Sequence, residues 1–500
     1  MAFDFLVEPL LTWRDRAYVE HRSTLPGVLA ELMQDTLEDF PCVRAHQLDA
    51  WMMFLTQLAA IAVARAEHSD APATEDEWLR LLEALTDGRH EPWSLVVEDL
   101  SLPALMQSPV PEGHLRDWRV AGSADDIDVL VTTKCHDVKR GILDRAHPEC
   151  WLFALITLQT MQGYPGRGYT PVSRMKGGYG SRARVGMSPG GSLGSQFARD
   201  LRVLRDATPD LLHRGLSAAG VALVWLEPWT GDDSIPWHAL APHFIEVCRR
   251  IRLQVDERAI FARYTTNTAR RCAPDIATGD VGDAWIPIER EDGGALTIGG
   301  RGFHYPILVE LLSGGRFEPS AALRVRADDP PVLVLHAGVL ARGQGMTDGL
   351  HERRIPIDGR VRRRLSSTDG RARFGERGRA FVERAAAMRT KVLYPALKAL
   401  SLDKDPMPDT FDAEVDRVFF DHLFASVDDE LVEAVAGWSA ALAALAHTQL
   451  AVAIARTPTP SFRSYAAAAN AELVFARTLR KHFPELSPST ASNAPGTANA

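Results

Sequence analysis

Lysine is scarce in this chain. Only seven of its 56 basic residues are lysines, and only Lys134, Lys139 and Lys176 precede Lys391. Cysteine is sparse as well: Cys42, Cys135, Cys150, Cys248 and Cys272 are odd in number and far apart, with no C-x-x-C pair. That excludes a disulfide framework and a zinc knuckle and points to a reducing cytoplasm. The P-loop pattern G-x-x-x-x-G-K-[ST] and the dinucleotide pattern G-x-G-x-x-G are both missing, which excludes a nucleotide-driven motor of the known kinds. Near the start stand Asp4 and Glu8 rather than the basic-then-apolar order of a signal peptide. The longest apolar run, about Ala50–Ala64, is broken by Thr56 and Gln57. It falls short of the ~18–20 residues of a membrane span and is expected to be a core helix.

One further absence is local. No Asp or Glu occurs in the fifty residues between Glu149 and Asp200, while the same window carries Arg167, Arg174, Lys176, Arg182, Arg184 and Arg199. Ten glycines lie between Gly163 and Gly194, so the basic groups sit on backbone able to approach a ligand and expose its N–H groups. An anion, and a polyanion before a small acid, is the expected occupant. The formal net charge of −9 means that any nucleic-acid role must rest on such local patches.

At 500 residues and 46% hydrophobic the chain can bury two or three domains. Strands and a short helix are expected in the first forty residues. Helices are expected over Val43–Ala66, where Leu48, Trp51, Met52, Leu55 and Leu58 recur at helical spacing, and over about 75–86 and 149–161. Between Gly220 and Pro356 the runs 221–225, 306–312 and 331–335 suggest short strands in a mixed region. After about Arg371 only helical spacing remains, in four segments broken at Pro406/Pro408, at Ser426–Asp429 and at Pro458/Pro460. The predicted fold class is therefore α+β: a mixed α/β domain over 1–370, a four-helix bundle over 371–486, and a Ser/Thr/Ala/Pro-rich tail from 487 to 500 expected to be disordered.

Three constellations invite a chemical reading. Thr132–Lys139 is a polar loop after an apolar run. Its His136-Asp137 pair resembles the centre of a metal-dependent phosphohydrolase, but no further His ligands accompany it. Gly186-Met-Ser-Pro-Gly190 matches G-x-S-x-G, yet Pro189 and Gly190-Gly191 continue a loop where a nucleophile elbow needs a helix, so Ser188 is rejected as a nucleophile. Arg342-Gly-Gln-Gly345 sets Gln344 between two glycines at a turn, with Arg353, Arg354 and Arg360–Arg364 following, an arrangement suited to duplex contact.

The collinear order of Leu25-Pro-Gly27, Val129–Lys139, Ser173–Arg182, Phe244–Arg250, Gly282–Pro287, Arg342–Gly345 and His351–Arg354 resembles the CasA family, the large subunit of the type I-E CRISPR Cascade complex. The resemblance spans nearly the whole chain and rests on order rather than on one specific motif. It implies a mixed α/β domain with a C-terminal four-helix bundle and a non-enzymatic part in an RNA-guided antiviral effector. Such a subunit inspects duplex DNA for a protospacer-adjacent motif, promotes strand opening and R-loop formation, and helps recruit a helicase-nuclease.

Carried over, Lys176, Gly177, Gly178, Tyr179 and Gly180 correspond to the glycine loop at the motif, Gln344 to the glutamine wedge, and Arg290 to a basic minor-groove residue. Lys134, His136 and Lys139 correspond to the loop that anchors the subunit at the CRISPR RNA 5′ handle or a neighbouring subunit. Arg182, Arg184, Arg342, Arg353 and Arg354 are the candidate non-specific phosphate contacts. No cofactor is implied; some relatives carry four cysteines in the middle domain, but Cys248 and Cys272 stand alone, so no zinc is expected. The rival readings are a stand-alone single-strand binder stacking bases on Tyr164, Tyr169 and Tyr179, and a hydrolase.

Overall fold

The computed structural model describes residues 2–67, 71–130, 147–256, 259–343, 346–400, 408–456 and 462–486. The chain divides into two units. The first comprises Met1–Phe303 and Arg316–Arg362, the second His304–Gly315 and Arg363–Ala500.

In the first unit, helices α1 (Leu25–Met33), α2 (Ala45–Arg65), α3 (Glu75–Ala84), α4 (Pro148–Met161) and α5 (Leu193–His213) surround and fill one large core. Residue chemistry sets their ends. Thr24 caps α1 by accepting from the Gly27 amide, Thr74 and Glu77 form a capping box on α3, and Ser192 caps α5. α2 and α4 are apolar on nearly every side because they are core helices: the most apolar window of α2 is 83% buried, and Trp51 on α2 meets Phe153 on α4 edge-on at 5.1 Å. The strands form several small sheets. The one that matters here is antiparallel, in the order Met346–Ile357, Leu333–Gly343, Arg184–Ser188, with a bulge at Ala341/Arg342.

The second unit is helical. α6 (Tyr305–Ser313) packs on α8 (Thr368–Ala387), a helix preceded by the short α7 (Gly359–Leu365). A Cβ at Gly378 would meet Val309 at 2.5 Å, so the two helices approach closely only because that residue is glycine. α8 runs through a single π-helical turn, Met388–Leu393, into α9 (Tyr394–Ala399), where Pro395 lacks the N–H that a regular helix would use. With α10 (Pro408–Ala425), α11 (Leu431–Ala455) and α12 (Phe462–His482) this makes four long helical stretches among the described residues, the expected bundle. Its centre is aromatic: Trp438 stacks on Phe381 at 5.3 Å and meets Phe419 edge-on at 5.7 Å.

One expectation is corrected. The run 306–312 is not a strand but most of α6, with Pro306 in its first turn and Gly314 ending it in the left-handed region at φ 67°. Pro189 and Gly190-Gly191 are loop, as expected, and the 21-residue helix α5 starts only after the Ser192 cap. The tail from 487 to 500 lies outside the described residues.

Candidate nucleic-acid interface

α4 ends at Met161, and Gln162–Ala183 then crosses the first unit as an irregular loop before the strand Arg184–Ser188. The basic side chains of that stretch meet carboxylates from elsewhere in the chain. Arg174 pairs with Glu246 (2.7 Å) and Asp283 (3.0 Å) and lies 4.2 Å from the centre of the Phe244 ring. Arg182 pairs with the same Asp283 oxygen (2.5 Å) against Trp285, and burial pushes its guanidinium down to about 10. Arg184 lies between Asp49 and Asp200 at 3.3 and 3.1 Å. Arg199 uses all five N–H groups, on Asp329 and on the carbonyls of Met187, Ala322 and Arg324.

These four arginines are buried, and the anions that answer them belong to the protein. Arg182 and Arg184, each with a side chain 2% exposed, are therefore withdrawn as phosphate contacts. The quoted motifs Phe244–Arg250 and Gly282–Pro287 acquire a physical reason, since Glu246 and Asp283 neutralise the arginines of Ser173–Arg182.

What remains at the surface is smaller and more specific. Gly177 and Gly178 hold φ of 133° and 90°, a region that disfavours side chains, and a Cβ at Gly177 would meet nothing within 4 Å. Their backbone is thus open to an approaching surface. Gly180 is buried against Gly163, where a Cβ on Gly163 would strike the Gly180 carbonyl at 1.9 Å, and the Tyr164 and Tyr179 rings meet at 5.9 Å.

Lys176 is exposed and ion-paired to Asp292, a carboxylate held low by Lys176 and by the Gly294 amide. Arg290, two positions before Asp292, pairs with Glu318 at 2.5 Å. The Ser181 amide donates to the Leu340 carbonyl, tying the glycine loop to the hairpin that carries Arg342. The glycine loop, the Arg290 loop and the 333–357 hairpin are thereby neighbours.

Of the remaining candidates, Arg353 is half-buried and Arg354 is exposed and paired with Glu352 at 2.5 Å. Gln344 lies outside the described residues, as do Lys134, His136 and Lys139. Ser188 accepts from the Gly190 amide, while the nearby His336 accepts from Arg184 and faces Asp49, so the two do not form a nucleophile-base pair. Among the described residues no group of three or more His, Cys, Asp or Glu is arranged to hold a metal ion.

Sequence reasoning missed Asp292, whose charge opposes that of Lys176. Substituting Asp292→Asn keeps an acceptor for Gly294 and frees the ammonium. Duplex affinity at low salt should rise about threefold, with a steeper salt dependence, in a titration across a salt series.

No protein-family model and no curated protein matches this chain. Solved structures do. CasA of Thermus thermophilus superposes with a TM-score of 0.66 at 13% identity, covering 96% of this chain and 100% of that one. Cse1 from Acidimicrobium ferrooxidans gives 0.63 at 16% identity, covering 98% and 99%. The chain has the CasA (Cse1) fold. A chain described as part of a CRISPR RNA-guided surveillance complex matches at a TM-score of 0.50 and 13% identity, covering 95% of this chain and 99% of that one. In this chain the CasA fold comprises a mixed α/β region with small sheets and the C-terminal helices α8–α12.

Proposed function

We propose that this chain is the large, non-catalytic subunit of a type I-E Cascade complex that recognises a protospacer-adjacent motif in duplex DNA. The observation that carries the reading is the near-full-length CasA fold together with the convergence of the Lys176–Gly180 loop, the Arg290 loop and the 333–357 hairpin. Backbone N–H groups at Gly177–Gly178 and the Lys176 ammonium would face the minor groove, whose base edges present acceptors to such donors. Gln344, beyond the end of the strand Leu333–Gly343, would enter the first base step and promote R-loop formation, leaving sequence discrimination to guide pairing. Lys134, His136 and Lys139 would anchor the chain to the CRISPR RNA 5′ handle or an adjacent subunit, and the assembled R-loop would recruit a helicase-nuclease. No cofactor takes part, and the work is done by binding and distortion.

Reconstitution tests membership of the complex. The chain should co-purify with the guide-loaded Cascade subunits, and charge reversal at Lys134 and Lys139 should lower its retention about tenfold at moderate salt. A chain that never associates with the guide-loaded subunits, or a variant retained like wild type throughout a salt series, would contradict the assignment.

A further inference from the structure

The acid-answered arginines of the first unit make one exception conspicuous. A cavity of about 210 Å³ is lined by Gln162, Tyr169, Arg249, Tyr264 and Arg342, with Asp126 on its rim. Arg249 is buried, and among the described residues its guanidinium donates only to neutral acceptors: Gln162 Oε1 and the carbonyls of Thr170, Cys248 and Gly163. The Arg342 guanidinium has no hydrogen-bond or ion-pair partner among the described residues, and the charge that faces it is that of Arg249. Burial and then this like charge both depress it. Arg252 shows that carbonyls alone can hold one buried guanidinium. Two facing each other beside an open cavity, with no carboxylate between them among the described residues, are a different matter, because an anion from outside would relieve their repulsion. The Asp126 carboxylate is already engaged by the Gly122 and Ser123 amides.

The other wall is aromatic. The Arg249 guanidinium lies 5.1 Å from the centre of the Tyr169 ring, and neither the Tyr169 nor the Tyr264 hydroxyl has a partner among the described residues. Arg119, in register with Tyr264 on the adjacent strand, is exposed. The cavity is too small for a helix or a duplex. It also touches the glycine loop, because the Gly163 carbonyl that receives Arg249 belongs to the residue packed on Gly180.

We propose that this cavity is a nucleotide pocket, taking one unstacked nucleotide of a single strand with its phosphate between Arg249 and Arg342 and its base against Tyr169 and Tyr264. Stacking on tyrosine is indifferent to base identity, so the pocket would hold a displaced nucleotide without reading it. The inference rests on the reading that this chain opens duplex DNA, and it adds a place for what opening releases.

The test uses the full chain and a labelled single-stranded octathymidylate, compared with the same octamer carrying abasic sites. Wild type should bind the base-bearing octamer about tenfold more tightly than the abasic one. Arg342→Gln should weaken binding to both and lower the salt slope by about one. Tyr169→Leu should erase the difference between the two octamers. Thymidine monophosphate should compete and inorganic phosphate should not.

Variants that melt like wild type yet bind both octamers unchanged would overturn the pocket, as would phosphate competing as well as the nucleotide. Motif-dependent duplex binding by the assembled complex, measured in parallel, separates the two readings. Its presence alongside indifferent pocket variants sinks only the pocket, and its absence in wild type sinks the proposed function.

Discussion

Asp283→Ala should destabilise the first unit by about 3–5 kcal/mol, measured as the denaturant midpoint at constant slope, because it strips a shared counter-charge from two buried cations. Asp283 has a side chain 1% exposed, and one of its oxygens faces both Arg174 Nε and Arg182 Nη2 as ion pairs rather than well-directed hydrogen bonds. Its other oxygen accepts from the Trp285 amide. After truncation Arg174 keeps Glu246, but Arg182 keeps no carboxylate contact among the described residues. Asp292→Ala is the matched control. That carboxylate also pairs with a cation of the same loop, but at the surface, and its loss should leave the denaturant midpoint close to wild type. Equal effects for the two substitutions would mean that burial does not distinguish the interior arginines from the surface lysine.

Gln344→Ala in the assembled complex should slow R-loop formation on fully paired duplex by about tenfold to a hundredfold, since unstacking the first step costs a few kcal/mol that an inserted side chain offsets. The side chain's bulk, not its amide, is what the wedge requires. Mismatching the first target base pairs while keeping the guide complementary should therefore restore the variant nearly to wild-type rate. Strand opening would be followed by stopped-flow fluorescence on both substrates. If mismatching helps the variant no more than wild type, Gln344 is not a wedge.

The helix α2 was legible because Leu48, Trp51, Met52, Leu55 and Leu58 recur at helical spacing, and the four bundle stretches for the same reason, whereas α4 was legible as a long apolar run. α6 was misread from a short apolar run, in which periodicity cannot separate a strand from a buried helix. The deciding signals, Pro306 at its start and Gly314 past its end, were both present.

The acid-free window was read as a place for a polyanion, but its buried arginines are answered by the protein's own carboxylates, most of them distant in sequence. Asp49, Glu246, Asp283 and Asp329 lie 135, 72, 101 and 130 positions from the arginines they meet, where no window could find them. Lys176 and Gly178 are exposed, and the positive φ of Gly177 and Gly178 is a local backbone property that the glycines signal in sequence. Asp292, Arg249 and Tyr264 were missed because their significance comes only from what the fold sets beside them, although Arg249 stood within a motif already noticed.

The most direct measurement is selection from a duplex library randomised at the positions flanking the target, using complexes that contain either the wild-type chain or Gly177→Val/Gly178→Val. The substituted loop has room for its side chains within the protein, so assembly should be intact, while strained backbone and added bulk block close approach to the groove. The account predicts that wild type enriches a short motif and that the variant, equally retained in the complex, enriches none. Equal enrichment by both complexes would contradict it.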